Sequence, residues 1–444
     1  MNEIKMRLDN ASNIYPASLG KTHAALFRLS VTLREEVNLN YLQQALDNSI
    51  RRIPTFGCTL SNGAFWWYLK KMKGQATVSG PSPLLPIGYK FHGGQLFKLA
   101  ADGKKIVLDI FHALADGTGA QTFLLTVTAE YLRLRHKISI SYDSLVLNPE
   151  DMPSKKESED CFAEFAGKKG SLEKNDSAYH IPGQVENCRT LHNERYTLKC
   201  DEVKAACRNY LCTVTELLTA AMVSALQEVH RHDKKRRKNS ALKVNVPVNL
   251  RPLFGGRTLR NYSSYVNLGV DVSNGYFSFE EIVKIVSAQK KNLALPCELE
   301  KKVAANVALE NNFAVAAIPL FIKKHVIDAV YKVKGDKYFT HTLSNLGRVS
   351  LPVEMQPFVE EMDFILGRQR GNAGAATCIG YGDKLFFNIS RKIVENDFES
   401  YFVSQLSELG ISVIGRSEEL GVSRKAKSSK QKEHKNCKPT LQTA

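Results

Sequence analysis

The run Phe111-His112-Ala113-Leu114-Ala115-Asp116-Gly117 combines residue types that can move a proton. An imidazole titrates near pH ~6.5 and suits a general base at neutral pH. The run stands where an apolar strand-like segment, Lys105 to Phe111, gives way to a helical pattern from Ala120 to Leu134. A side chain at such a strand exit is presented on rigid backbone. Asp116, beside a glycine that permits a tight turn, can anchor the loop through a buried ion pair or hydrogen bonds. A His followed four residues later by an Asp also arises by chance, and the strand-to-helix switch singles this one out.

Other candidates have plainer readings. Phe65-Trp66-Trp67-Tyr68 could line an acceptor cavity, but an aromatic strand more often packs a core. His230 and His232 lie at a poor metal spacing for a helix, amid basic residues that read as a solvated helix end. His341 could face the site from a strand. Gly255-Gly256 and Gly371-Asn-Ala-Gly374 are not phosphate loops, because no GK[ST] follows them. No GxSxG nucleophile elbow occurs. The nine cysteines are scattered, with no CxxC pair and no zinc spacing, which fits reduced thiols of a cytoplasmic protein. No metal site is expected.

The elements that must position the His are read from periodicity. A strand is expected over Leu26 to Leu33 and a helix over Leu39 to Ile50. An aromatic strand over Ala64 to Leu69 precedes a turn region at Pro81, Pro83 and Pro86. Leu96 to Ala100 and Lys105 to Phe111 form a hairpin around Asp102-Gly103. Residues 151–190 read as a polar inter-domain connection. Beyond it come a strand near Arg195 to Leu198 and a helix with the capping box Thr213-Val-Thr-Glu216. Strands at Leu242 to Val248 and Val266 to Val272, helices at Phe279 to Leu293 and around Val303 to Tyr331, and strands at Phe339 to Leu343 and Leu385 to Ile389 complete the second half. The expected division is 1–150, a connection over 151–190, a second unit over 191–415, and a basic disordered tail over 416–444.

The 444 residues carry 61 Lys and Arg against 45 Asp and Glu, a formal charge of +16. That sum is local: residues 230–238 supply six basic side chains against one Asp, and residues 421–444 seven against one Glu. With no nucleic-acid module beside the charge, specific nucleic-acid binding is not expected. The longest apolar stretch, Phe313 to Ile322, is interrupted by Pro319 and too short for a membrane span. No targeting segment is visible, and a cytoplasmic monomer is expected.

His112-xxx-Asp116-Gly117 after an apolar strand resembles the HxxxDG signature of the chloramphenicol-acetyltransferase-like superfamily. Asn245-Val-Pro-Val-Asn-Leu-Arg251-Pro and Thr258-Leu-Arg-Asn261-Tyr resemble its bacterial alcohol acetyltransferase branch, as do Arg52-Ile-Pro54 and Gly63-Ala-Phe-Trp66. Ser344-Asn345-Leu-Gly347 also fits, and Asp363-Phe364-Ile-Leu-Gly367 is similar to a weakened Asp-Phe-Gly-Trp-Gly motif. The resemblance spans roughly residues 8 to 415 in order. Phe111 stands where condensation domains usually carry a second His, which lowers peptide-bond formation as a reading.

The resemblance implies an α/β (two-layer α+β) architecture of two subdomains forming a pseudo-dimer with a tunnel between them. It implies direct acyl transfer without an acyl-enzyme, His112 acting as the general base that moves an acyl (acetyl) group from acyl-CoA to a small alcohol or lipid hydroxyl. Acyl-CoA is then a co-substrate, and no bound cofactor is expected. Asp116, Gly117 and Arg251 hold the His loop, with Arg251 pairing to Asp116 across the halves, and Asn345 positions substrate or helps an oxyanion, or is simply a turn residue. The alternatives are a free-standing condensation-type enzyme taking carrier-protein thioesters, the 230–238 run docking the carrier, and a catalytically silent binding protein.

Overall fold

The computed structural model describes residues 5–19, 25–81, 84, 94–171, 176–187, 190–234, 239–331 and 335–422. Pro83 and Pro86, Cys188, residues 235–238 of the basic run, and residues 423–444 of the expected tail lie outside them. The first half contains β1 (Lys5–Arg7), α1 (Ile14–Ser18), β2 (Leu26–Leu33), α2 (Leu39–Arg52), β3 (Cys58–Asn62) and β4 (Trp67–Lys71). It continues with β5 (Val78–Ser79), β6 (Phe97–Asp102), β7 (Lys105–Phe111) and α3 (Gly117–His136). The second half begins with β8 (Thr190–Lys199), α4 (Cys200–Asn209), α5 (Val214–His232), β9 (Ala241–Asn249), α6 (Arg251–Phe254) and β10 (Ser263–Asp271). Four helices follow: α7 (Phe279–Leu293), α8 (Pro296–Asn311), α9 (Phe313–Ala316) and α10 (Leu320–Val330). The chain then forms β11 (His341–Val349), β12 (Val359–Leu366), β13 (Gly374–Tyr381), β14 (Lys384–Arg391), α11 (Asp397–Glu408) and β15 (Val413–Val422).

Two mixed sheets carry the molecule, in the orders β12-β2-β7-β6-β5 and β10-β9-β11-β13-β14-β8-β15. Read from one edge, β12-β2-β7-β6-β5 matches β15-β8-β14-β13-β11 strand for strand. The directions match too: only the last pair of each set, β5 with β6 and β11 with β13, is parallel. The expected pseudo-dimer is therefore present as a repeated topology, which sequence periodicity does not reveal. The strand-to-helix step from β7 to α3 has its counterpart between β14 and α11, where Lys392-Ile-Val-Glu-Asn396 holds no His.

Local signals work where they are strong. Thr213 and Glu216 close both halves of a capping box on α5, and Ser278 and Glu281 do the same on α7. Three expectations change. β12 lies in the second half of the sequence yet pairs antiparallel with β2 from Val359↔Leu33 to Leu366↔Phe27, so 191–415 is not one spatial unit. The 151–190 connection is not merely polar: Phe162, Phe165 and Tyr179 are buried in the second core. Arg52 also forms a bidentate pair with Glu157 of that connection at 2.5 and 2.7 Å. Finally, β15 pairs with β8 as far as Val422, so residues 416–422 are sheet rather than tail. Among the described residues no single helix is long and apolar enough to cross a membrane.

Candidate active site

β7 delivers the loop and α3 receives it. Asp116 is the N-cap of α3, its Oδ1 accepting from the Gly119 N–H at 2.9 Å. The same carboxylate accepts from the two Arg251 terminal nitrogens at 2.8 and 3.2 Å and from the Tyr262 N–H at 2.9 Å. Arg251 in turn donates to the carbonyls of Thr258 and Arg260, at 2.9 and 2.7 Å. A buried ion pair thus fastens the His loop of the first half to the 251–262 segment of the second.

The glycines of this loop serve packing rather than a turn. Neither Gly117 nor Gly119 has a left-handed φ. A Cβ on Gly119 would lie 1.9 Å from the Leu259 carbonyl oxygen, whereas one on Gly117 would meet the Leu346 Cδ2 at 2.6 Å. Backbone cannot yield as a leucine tip can. Gly119→Ala is therefore expected to cost about 1–3 kcal/mol of stability and Gly117→Ala less, read by urea denaturation. Equal losses would refute this steric argument.

His112 is half-buried, its ring stacked on Tyr15 at 4.3 Å between centroids and met edge-on by Phe27 at 5.1 Å. Its Nδ1 lies 3.0 Å from Asn261 Oδ1. The Asn261 amide donates to the His112 carbonyl at 2.9 Å and to Ser12 Oγ at 2.8 Å, which leaves its oxygen facing the imidazole. The Ser12 hydroxyl in turn donates to Asp9 Oδ1. This chain places the proton on Nδ1 and the lone pair on Nε2, which has no hydrogen bond among the described residues. Burial pulls the His112 pKa below its ordinary value, opposed by a bond to its own backbone, the Asp116 charge and Asn261. The imidazole is neutral at pH 7. Burial likewise pushes Asp9 up to about 6, against the attraction of Arg260 and its Ser12 bonds.

Along the sequence Asn261 is only one residue of the Thr258-Leu-Arg-Asn261-Tyr motif, and its role emerges from contacts across 149 positions. Asn261→Ala is expected to lower kcat by up to about tenfold with KM little changed, the value of one lost hydrogen bond. Its acid limb should also shift, because the imidazole loses the partner that holds its tautomer. A variant with the parental kcat and pH profile would remove Asn261 from the positioning of His112.

The imidazole opens on a cavity of about 510 Å³ whose walls include Tyr15 and Trp66 from the first half and Asn245, Ser263, Ser264 and Ile327 from the second. This is the shared space between the halves that a pseudo-dimer requires.

No family model matches the sequence, and no curated protein matches it. Solved structures do. F. graminearum TRI101 complexed with coenzyme A and deoxynivalenol superposes with a TM-score of 0.61 at 11% identity, over 89% of this chain and 96% of that one. Polyketide synthase associated protein 5 from Mycobacterium tuberculosis gives 0.57 at 12%, over 91% and 97%. The first condensation domain of the calcium-dependent antibiotic synthetase gives 0.57 at 15%, over 91% and 96%. The chain has the chloramphenicol-acetyltransferase-like fold.

Within that fold the expected residues separate. His112, Asp116, Gly117 and Arg251 come together. Asn345 does not line the His112 cavity: its amide donates to Thr215 Oγ1 at 3.1 Å and its oxygen accepts from the Gly347 N–H at 2.8 Å. Gly347 has φ 75°, so Asn345 is the turn residue. His341 is buried against Phe398 in a separate cavity of about 250 Å³ beside Arg391 and Glu399, and burial lowers its pKa to about 4. The aromatic run divides, Trp67 entering the core and Trp66 lining the cavity.

Proposed function

We propose that this chain is a CoA-dependent O-acyltransferase of the alcohol acetyltransferase type. The observation that carries the reading is the neutral His112, its Nδ1 held by Asn261 and its Nε2 left with a lone pair, on a cavity shared by both halves. Nε2 takes the proton of an acceptor hydroxyl while that oxygen bonds to the thioester carbonyl carbon. The tetrahedral oxyanion then collapses, the C–S bond breaks, and the imidazolium returns its proton to the leaving thiolate. No acyl-enzyme forms. Ser263 and Ser264, residues of the cavity wall, replace Asn345 as candidate oxyanion donors. The Asp116–Arg251 pair holds the loop and takes no part in the chemistry.

The test is release of free thiol from acetyl-CoA in the presence of an alcohol, with the ester identified by mass spectrometry. Absence of both across short, sterol-like and lipid alcohols and longer acyl-CoAs would overturn the reading. A condensation-type enzyme using carrier-protein thioesters is the second reading, supported by the likeness to a condensation domain over 91% of this chain. Turnover with acyl-carrier protein but not acyl-CoA would select it.

A further inference from the structure

Helix α10 is apolar on both sides. Its inner side, Leu320, Lys323 and Ile327, packs toward the molecule, where Lys323 donates to the Phe65 carbonyl at 3.0 Å and lies over the Trp66 ring. Its outer side is exposed among the described residues: Phe321 is 71% exposed, Val330 54%, Val326 47% and Ile322 44%. At about 100° per residue these four lie within a half-turn of arc, a largely apolar face that also holds His325. Leu309 and Phe313, at 62% and 87%, extend it onto the end of α8 and onto α9. A soluble surface rarely leaves so contiguous a patch without a partner.

The charge around the patch identifies that partner. Residues 310–337 carry five lysines against one glutamate and two aspartates, a local excess of basic side chains. Of the aspartates, Asp328 is paired with Arg370 at 2.7 Å. Lys324 stands exposed beside the apolar face, and His325 lies within it. An apolar stripe beside the exposed Lys324, with Asp328 of the same helix already paired, is complementary to an anionic lipid surface. We propose that the α8–α10 face docks on anionic membranes, with Phe321, Ile322, Val326 and Val330 entering the interface and Lys324 meeting phosphate headgroups. Leu309 belongs at once to this face and to the wall of the His112 cavity. Docking therefore sets the cavity at the bilayer, so that the acceptor is an amphiphilic alcohol drawn from the lipid phase. This last consequence rests on the acyl-transfer reading; the docking does not.

The test is flotation of the full chain, without substrates, with vesicles of phosphatidylcholine alone or with about one third phosphatidylglycerol. Binding is expected to the anionic vesicles and to weaken with salt. Lys324→Ala should weaken it about fivefold, the value of one cation at the surface. Ile322→Glu with Val326→Glu should weaken it more than about tenfold, since two apolar side chains lose their burial. Both sites are exposed and outside the His112 cavity, so thiol release with a short soluble alcohol should be unchanged in the double variant. No binding to anionic vesicles, equal binding by the double variant, or a dimer that the double variant dissociates would overturn the proposal.

Discussion

His112→Ala is expected to lower kcat/KM for thiol release from acetyl-CoA by about 10²–10⁴-fold, the range over which a positioned general base acts. The side chain lies on the wall of the shared cavity and caps no helix, so its loss should leave folding intact. The pH profile carries the same prediction independently. The proposed mechanism requires the unprotonated ring, and burial lowers the pKa of His112. The rate should therefore be flat through pH 7–8 and fall only as pH drops through a value below the ordinary ~6.5. Full activity in the folded His112→Ala protein would rule out the general-base mechanism. An acid limb above pH ~6.5 would contradict the neutral, desolvated imidazole.

Asp116→Asn is the second large effect, and it should appear in stability. The carboxylate caps α3, pairs with both terminal nitrogens of Arg251 and accepts the Tyr262 N–H. An amide in its place leaves the Arg251 guanidinium buried without its counter-charge, and breaking such a pair typically costs about 3–5 kcal/mol. The expected result is a large drop in folded yield and in the urea midpoint, with specific activity of the folded fraction largely retained. Arg251→Ala should cost a similar amount, and the double variant much less than the sum, since both changes remove one interaction. If Asp116→Asn kept its full stability while activity fell, the structural role of Asp116 would have to be abandoned.

The order of β7, the His loop and α3 is legible in the sequence because each depends on neighbours. Apolar runs of strand length, a helical stripe and an Asp N-cap are local signals. For the same reason β2 and α7 run over the residues their periodicity indicates, Leu26–Leu33 and Phe279–Leu293. The Asp116–Arg251 pair was anticipated from motif resemblance rather than spacing, since 135 positions separate its members.

What only the tertiary structure decided is which distant side chains meet. Asp9, Ser12 and Asn261 look unremarkable along the chain, yet together they set the tautomer of His112. β12 joins the first sheet because β2 offers a free edge there, and an edge strand's hydrogen-bonding groups bind backbone regardless of sequence distance. Asn345 turns toward Thr215 instead of the cavity because a left-handed Gly347 needs its oxygen. Sequence by itself determined the His112 loop and the elements on either side. Folding decided the tautomer, the walls of the cavity and the exposed face of α10, because these depend on packing between segments that no local pattern relates.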